Sequence, residues 1–155
     1  MINNTHELKK SDKNKTKMIL CEKLNRTIKI PQHIASLLII GYFEEKIKLP
    51  QNIIYLKIHS EFNKKIKISQ HITHLHLGTF FSQKIKLPQN ITHLKLGDYF
   101  NKKIKIPQNI THLIIFCEFN YKIKIPCNVT HLSVISTMEN KIFINKNINL
   151  FIRGV

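Results

Sequence analysis

The 155-residue sequence predicts an all-β, helix-poor repeat solenoid, a stack of 19-residue coils joined by parallel β-ladders. Three observations carry that expectation. Pro31, Pro50, Ser69, Pro88, Pro107, Pro126 and Asn145 fall at an unbroken 19-residue spacing, and fixed-period self-similarity of this kind marks a solenoid. Apolar residues recur in columns 4, 7, 9, 13, 17 and 19 of each unit; from Pro88 to Ile106 these are Ile91, Leu94, Leu96, Phe100, Ile104 and Ile106. They create two alternating stretches, Leu94-Lys95-Leu96 and Lys103-Ile104-Lys105-Ile106, and alternation over short β-branched runs specifies strands. A proline lacking an N–H closes the second stretch, so 19 residues with these breaks leave little room for a helix. Two short strands per coil, separated by turns, are expected.

Read in chain order, residues 1–11 form a polar, flexible N-terminal tail. Residues 12–30 fit a degenerate repeat that serves as a cap, with Leu24-Asn25 and Ile28-Lys29-Ile30 in register. Residues 31–144 are six full repeats, and 145–155 begin a truncated seventh in which Arg153 takes the apolar column 9. A single coil cannot offset the entropy of ordering its own residues, so burial and hydrogen bonding between neighbouring coils must supply the remainder.

Composition narrows the function classes. Hydrophobic residues make up 43%, enough for one core, while no window approaches the roughly 18 apolar residues of a membrane span. Met1 to Lys17 is polar and mixed in charge, unlike a signal peptide. With 25 Lys plus Arg against 9 Asp plus Glu, the formal charge is +16, and Arg26 and Arg153 are the only arginines. Cys21, Cys117 and Cys127 show neither disulfide-framework nor CxxC metal-site spacing, which points to reduced thiols in a cytoplasmic compartment.

The segment Ile91-x-x-Leu94-x-Leu96 resembles the LxxLxL core of a leucine-rich repeat in a shorter unit. Phe62-Asn63, Phe100-Asn101 with Ile106-Pro107, and Phe119-Asn120 with Ile125-Pro126 resemble the FNIP repeat, as do the Ile-Thr-His-Leu runs at 72–75, 91–94 and 110–113. FNIP-repeat proteins are known from social amoebae and giant DNA viruses, and many carry an F-box ahead of the repeats. The resemblance implies a leucine-rich-repeat-like binding module, located in the host cytoplasm if viral, and in some members a substrate receptor for ubiquitin ligation. The 11 to 30 residues ahead of the repeats are too few for an F-box.

Several columns bear on function. Position 16 gives Lys46, Lys65, Lys84, Lys103, Lys122 and Lys141; position 18 gives Lys48, Lys67, Lys86, Lys105 and Lys124. These two rows point the same way and hold 11 of the 23 lysines, so the net charge first reports a copied unit. They could hold a polyanion, nucleic acid or an anionic surface, nonspecifically and with salt sensitivity, although no arginine or aromatic is interleaved to read bases. Alternatively they solubilise the sheet and deter edge pairing. His74, His93, His112 and His131 form column 6; a straight row does not converge on a metal as a tetrahedral site does, so stacking or inter-coil bonding is expected. Asn52, Asn90, Asn109, Asn128 and Asn147, with Asn63, Asn101 and Asn120, suit turns and backbone bonding, as do the glutamines at position 2.

Columns that vary between copies are free to specify a partner. Position 8 reads Leu38, Lys57, His76, Lys95, Ile114 and Ser133. Position 10 offers Ile40, His59, Phe116 and Ile135, with Gly78 and Gly97 between. In leucine-rich repeats the matching positions face the concave sheet surface, so the resemblance places this set on the binding face, with apolar groups towards its two ends. The acids are scattered, Glu44-Glu45 being the one adjacent pair, and no nucleophile, base and orienting acid can be assembled. The expectation is a non-enzymatic module without cofactor, metal or small-molecule substrate. It binds an unknown protein partner, with polyanion binding through the lysine rows as the alternative.

Overall fold

The computed structural model describes residues 16–21, 29–43, 47–59, 61–135, 137, 142–143 and 148–153. The expected tail at 1–11, the pair Glu44-Glu45, and the row lysines Lys46 and Lys141 lie outside the described residues. The described chain is a helix-poor parallel solenoid. Its main sheet runs β1 (Lys17–Cys21), β2 (Ser36–Ile40), β3 (Tyr55–Ile58), β4 (His74–Leu77), β5 (His93–Leu96), β6 (His112–Ile115), β8 (His131–Ile135) and β10 (Asn149–Arg153). Strands neighbour one another in chain order, the arrangement that one strand per coil requires. Register follows the repeat: Leu56 pairs with Leu75, Leu94 with Leu113, and Leu113 with Leu132.

Identical residues stack because each column has one direction in which burial is uniform along the solenoid. Columns 4, 7 and 9 point inward, with Ile91 0%, Leu94 2% and Leu96 0% exposed. Column 13 adds a phenylalanine ladder in which Phe81 and Phe100 stack at 6.4 Å and Phe100 meets Phe119 edge-on at 6.3 Å. Pro107 and Pro126 open turns closed by the amides of Ile110 and Val129, at 3.4 and 3.2 Å from the proline carbonyls. Asn90 and Asn109 donate from Nδ2 to the carbonyls of Gln70 and Gln89 in the coil before, both at 2.9 Å. The asparagine column thus joins coils, beyond shaping its own turn.

The structure corrects two sequence expectations. A second strand in every coil is not formed among the described residues; the second ladder consists of β7 (Ile123–Lys124) paired with β9 (Ile142–Phe143). Elsewhere the segment keeps its alternation without pairing: Lys84, Lys86, Lys103 and Lys105 are exposed while Leu87 and Ile106 are buried. Lysine would face lysine across such a ladder, and like charges in register destabilise it. The pairing forms where Lys124 meets Phe143 instead of another lysine.

The second correction concerns Arg153. The last coil is one residue short, since His131 pairs with Asn149, so Ile152 joins column 9 beside Val134 and Arg153 falls opposite Ile135. A 19-residue count would aim Arg153 at the core, and a one-residue slip exchanges the two faces of a strand. At the other end Lys17–Cys21 pairs with Ser36–Ile40 at the full period, with Leu20 buried.

Two glycines lie directly against the backbone of the preceding coil. A Cβ on Gly97 would sit 2.4 Å from the Gly78 carbonyl oxygen, and one on Gly78 would sit 2.5 Å from the His59 carbonyl carbon. Gly97→Ala therefore forces coils apart and should cost about 1–3 kcal/mol, while Phe100→Ala opens the ladder and should cost about 3–5 kcal/mol. Urea denaturation monitored by circular dichroism checks both; a neutral Gly97→Ala would contradict the close stacking.

Candidate functional site

On a strand with columns 7 and 9 inside, columns 6, 8 and 10 must face outward. The main sheet therefore presents three parallel rows on one face. In the middle row the register brings Leu38 beside Lys57, Lys57 beside His76, His76 beside Lys95, and Ile114 beside Ser133. It extends past the residues singled out in the sequence, to Ile19 beside Leu38 and Phe151 beside Ser133, which are 59% and 66% exposed.

Column 10 is mixed. Ile40, Phe116 and Ile135 are half-buried and His59 is exposed, all on the outward side. Gly78 and Gly97 are buried against neighbouring backbone, so at those two coils packing dictates the residue and the column is not free to vary. The Lys95 ammonium lies 4.8 Å from the Phe116 ring centroid, joining the two rows by a cation–π contact.

The histidines of column 6 stack along the same face. Ring centroids of His74–His93, His93–His112 and His112–His131 lie 4.1, 4.3 and 4.3 Å apart, with planes within 14° of parallel. Tyr55 continues the ladder at 5.9 Å from His74. Each imidazole Nδ1 meets a threonine hydroxyl: Thr92 with His93 at 2.9 Å, Thr111 with His112 at 3.0 Å and Thr130 with His131 at 2.9 Å. Those hydroxyls donate to the carbonyls of Thr73, Thr92 and Thr111 in the preceding coils, at 3.3, 3.3 and 3.2 Å. A hydroxyl has one proton, so with that proton on the carbonyl Nδ1–H donates to the threonine oxygen and Nε2 is left as an acceptor. Partial burial, then the neighbouring imidazoles, lowers the pKa of His93 and His112.

The histidine ladder and the variable rows thus share one face, although the sequence shows them only as separate columns. Parity was the available signal, because columns 6, 8 and 10 lie an even number of residues apart.

Charge in the middle row concentrates at its centre. His76 lies between Lys57 and Lys95 in register, and its pKa is pushed down to about 4 by partial burial, then by Lys95, Lys57 and His59. At the C-terminal coils the small Ser133 leaves a shallow depression of about 280 Å³ between Ile114 and Phe151, walled by His112 and His131. A broader groove of about 720 Å³ follows Thr73, Thr92, Thr111 and Thr130 beside Asn90 and Asn109.

The lysine rows lie apart from these outward sheet columns. Lys48, Lys65, Lys67, Lys84, Lys86, Lys103, Lys105, Lys122 and Lys124 are exposed, and Lys122 sits 5.2 Å from the Phe143 ring. Cys117 is buried, with its pKa raised to about 12 chiefly by that burial, a poor setting for a nucleophile; Cys127 is exposed. Among the described residues no group of three or more His, Cys, Asp or Glu side chains could hold a metal ion. No helix among them is long and apolar enough to cross a membrane.

Residues 81–118, a span of two coils, match the family model of the FNIP Repeat. Among solved structures the chain is similar to CroV588, a circular leucine-rich-repeat protein, at 17% identity and a TM-score of 0.38, over 81% of this chain and 34% of that one. The chain thus spans about a third of the length of that protein. No curated protein matches it.

Two outcomes follow from the imidazole geometry. Nitrogen-15 NMR should find His93, His112 and His131 in the Nδ1–H tautomer; an Nε2–H signature would contradict the threonine relay. Histidines with depressed native pKa bind fewer protons folded than unfolded, so stability is full above the unfolded value and lost as pH falls below it. For His76 that loss spans pH 6.5 to about 4. Thermal melting at constant ionic strength should decline across that window, and His76→Gln should flatten the decline.

Proposed function

This chain carries FNIP repeats, and from that premise we propose that it is a non-catalytic protein-interaction scaffold. Its outer sheet face is the binding surface. The observation that carries this reading is the division of labour between columns. Inward positions repeat one apolar residue from coil to coil, as with Leu56, Leu75, Leu94, Leu113 and Leu132, whereas the outward row changes chemistry at every step from Leu38 to Ser133. A rigid backbone that displays different side chains at a fixed spacing suits recognition of one partner surface, because little is lost in ordering it on binding. Apolar Ile114, Phe116, Ile135 and Phe151 flank a basic centre, the composition of an interface that combines apolar contact with charge steering.

Affinity capture with the wild-type chain and with Lys95→Glu and Phe116→Ser variants tests the reading. A partner lost from both variants, and retained by Lys84→Glu on the separate lysine row, is the expected result. Capture indifferent to the sheet face would contradict it.

Polyanion binding is the second reading, favoured by the exposure of the described lysines at positions 16 and 18. If those rows neutralise six or more phosphates, affinity for a double-stranded oligonucleotide should fall roughly 10³-fold between about 50 and about 200 mM salt. Tight binding that survives high salt and requires Lys84, Lys103 and Lys122 would make it the primary function.

A further inference from the structure

We propose that the outer sheet face accepts an acidic, extended polypeptide segment, whose carboxylates engage Lys57 and Lys95 and whose apolar side chain seats in the Ser133 depression. The inference rests on the scaffold reading and specifies its partner.

The spacing comes from the ladder. Lys57, His76 and Lys95 are consecutive members of one row in register on adjacent strands, so the two lysines are two coils apart. Adjacent strands lie about 4.8 Å apart, which separates the lysine stems by about 10 Å. Ser133 stands two coils beyond Lys95, another step of about 10 Å along the same row. An extended polyproline II chain advances about 3.1 Å per residue and returns every third side chain to the same side, so each step matches about three residues. The complementary segment carries two acids about three residues apart and an apolar residue about three further on, in either chain direction.

The chemistry favours carboxylates with a hydrophobic anchor over a uniform polyanion. The middle row is basic in one stretch only, from Lys57 to Lys95, with Ile19 and Leu38 to one side and Ile114 and Phe151 to the other. The depression has Ile114, Leu132, Leu150 and Phe151 in its lining, together with imidazole edges. A phosphodiester backbone would lay charge across those apolar ends, whereas a peptide can alternate charge and hydrocarbon at the required period. The denser lysine rows, at positions 16 and 18, are the ones suited to a regular polyanion.

His76 supplies a readout that nonspecific attraction elsewhere would not move. It faces Lys57 and Lys95 with His59 near, and those cations help hold it neutral. A carboxylate brought between the lysines offsets their repulsion, so the His76 pKa should rise from about 4 when the segment binds.

The test is fluorescence anisotropy with a labelled synthetic peptide bearing two glutamates about three residues apart and a leucine about three residues beyond, alongside NMR titration of His76. Lys57→Gln with Lys95→Gln, and separately Ser133→Phe to fill the depression, should each weaken binding at least about tenfold. Lys84→Gln with Lys103→Gln should leave it within about twofold, and urea melts would verify that all variants are folded. Equal losses from the two lysine pairs, or an unmoved His76, would overturn the proposal. So would an oligonucleotide whose binding is abolished by Lys57→Gln with Lys95→Gln.

Panning of a random peptide library against the wild-type chain separates this proposal from the scaffold reading. Enriched peptides with the acid and apolar spacing support both. Peptides that need the face but lack acids overturn the partner assignment and leave the scaffold. Enrichment that ignores the face overturns both.

Discussion

Parallel in-register stacking is the constraint on which the rest of this structure depends. A coil of 19 residues has too little interior to fold alone, so each must complete its core against its neighbours. Register is held by three reinforcing systems: the main-sheet ladder, the columns of Ile, Leu and Phe, and side chains such as Asn90 and Asn109 that bond the preceding coil. A slip of one residue would turn Lys95 and His76 inward and Leu94 and Leu75 outward. The shortened last coil shows the same pressure, since it keeps Arg153 out of column 9.

Function in such a molecule resides on whatever stacking leaves unconstrained. The sheet face offers a histidine ladder, a variable middle row and a partly constrained third row. The ladder is tied to the scaffold through its threonine contacts and runs beside the middle row on the same face. Structural contacts and variable side chains thus share one face. The net charge of +16 is unevenly distributed by comparison, with 11 lysines assigned to the two repeating rows at positions 16 and 18.

Much of this was legible in the sequence because stacking converts position in the repeat into direction in space. The period, the inward columns and the outward rows of Leu38 to Ser133 all follow from counting. What counting missed depends on neighbours in space. The second strand fails where lysine would face lysine, and succeeds where Phe143 replaces one of them. Gly78 and Gly97 looked free to vary, yet backbone of the preceding coil lies where their Cβ atoms would go. The histidine column shares the face of the variable columns, which follows from their even spacing. The 18-residue step from His131 to Asn149 was hidden because the sequence retains an apparent column pattern through residue 145.

The central claim, that register sets which residues reach the outer face, is tested most directly by inter-coil nuclear Overhauser effects. The account predicts contacts linking the rings of His74, His93, His112 and His131 in series, contacts from Lys57 to His76 and from His76 to Lys95, and Ser133 in contact with Phe151. Contacts shifted by one residue, such as Leu94 to His112 in place of His93 to His112, or Ser133 to Ile152, would contradict the register and the face built on it.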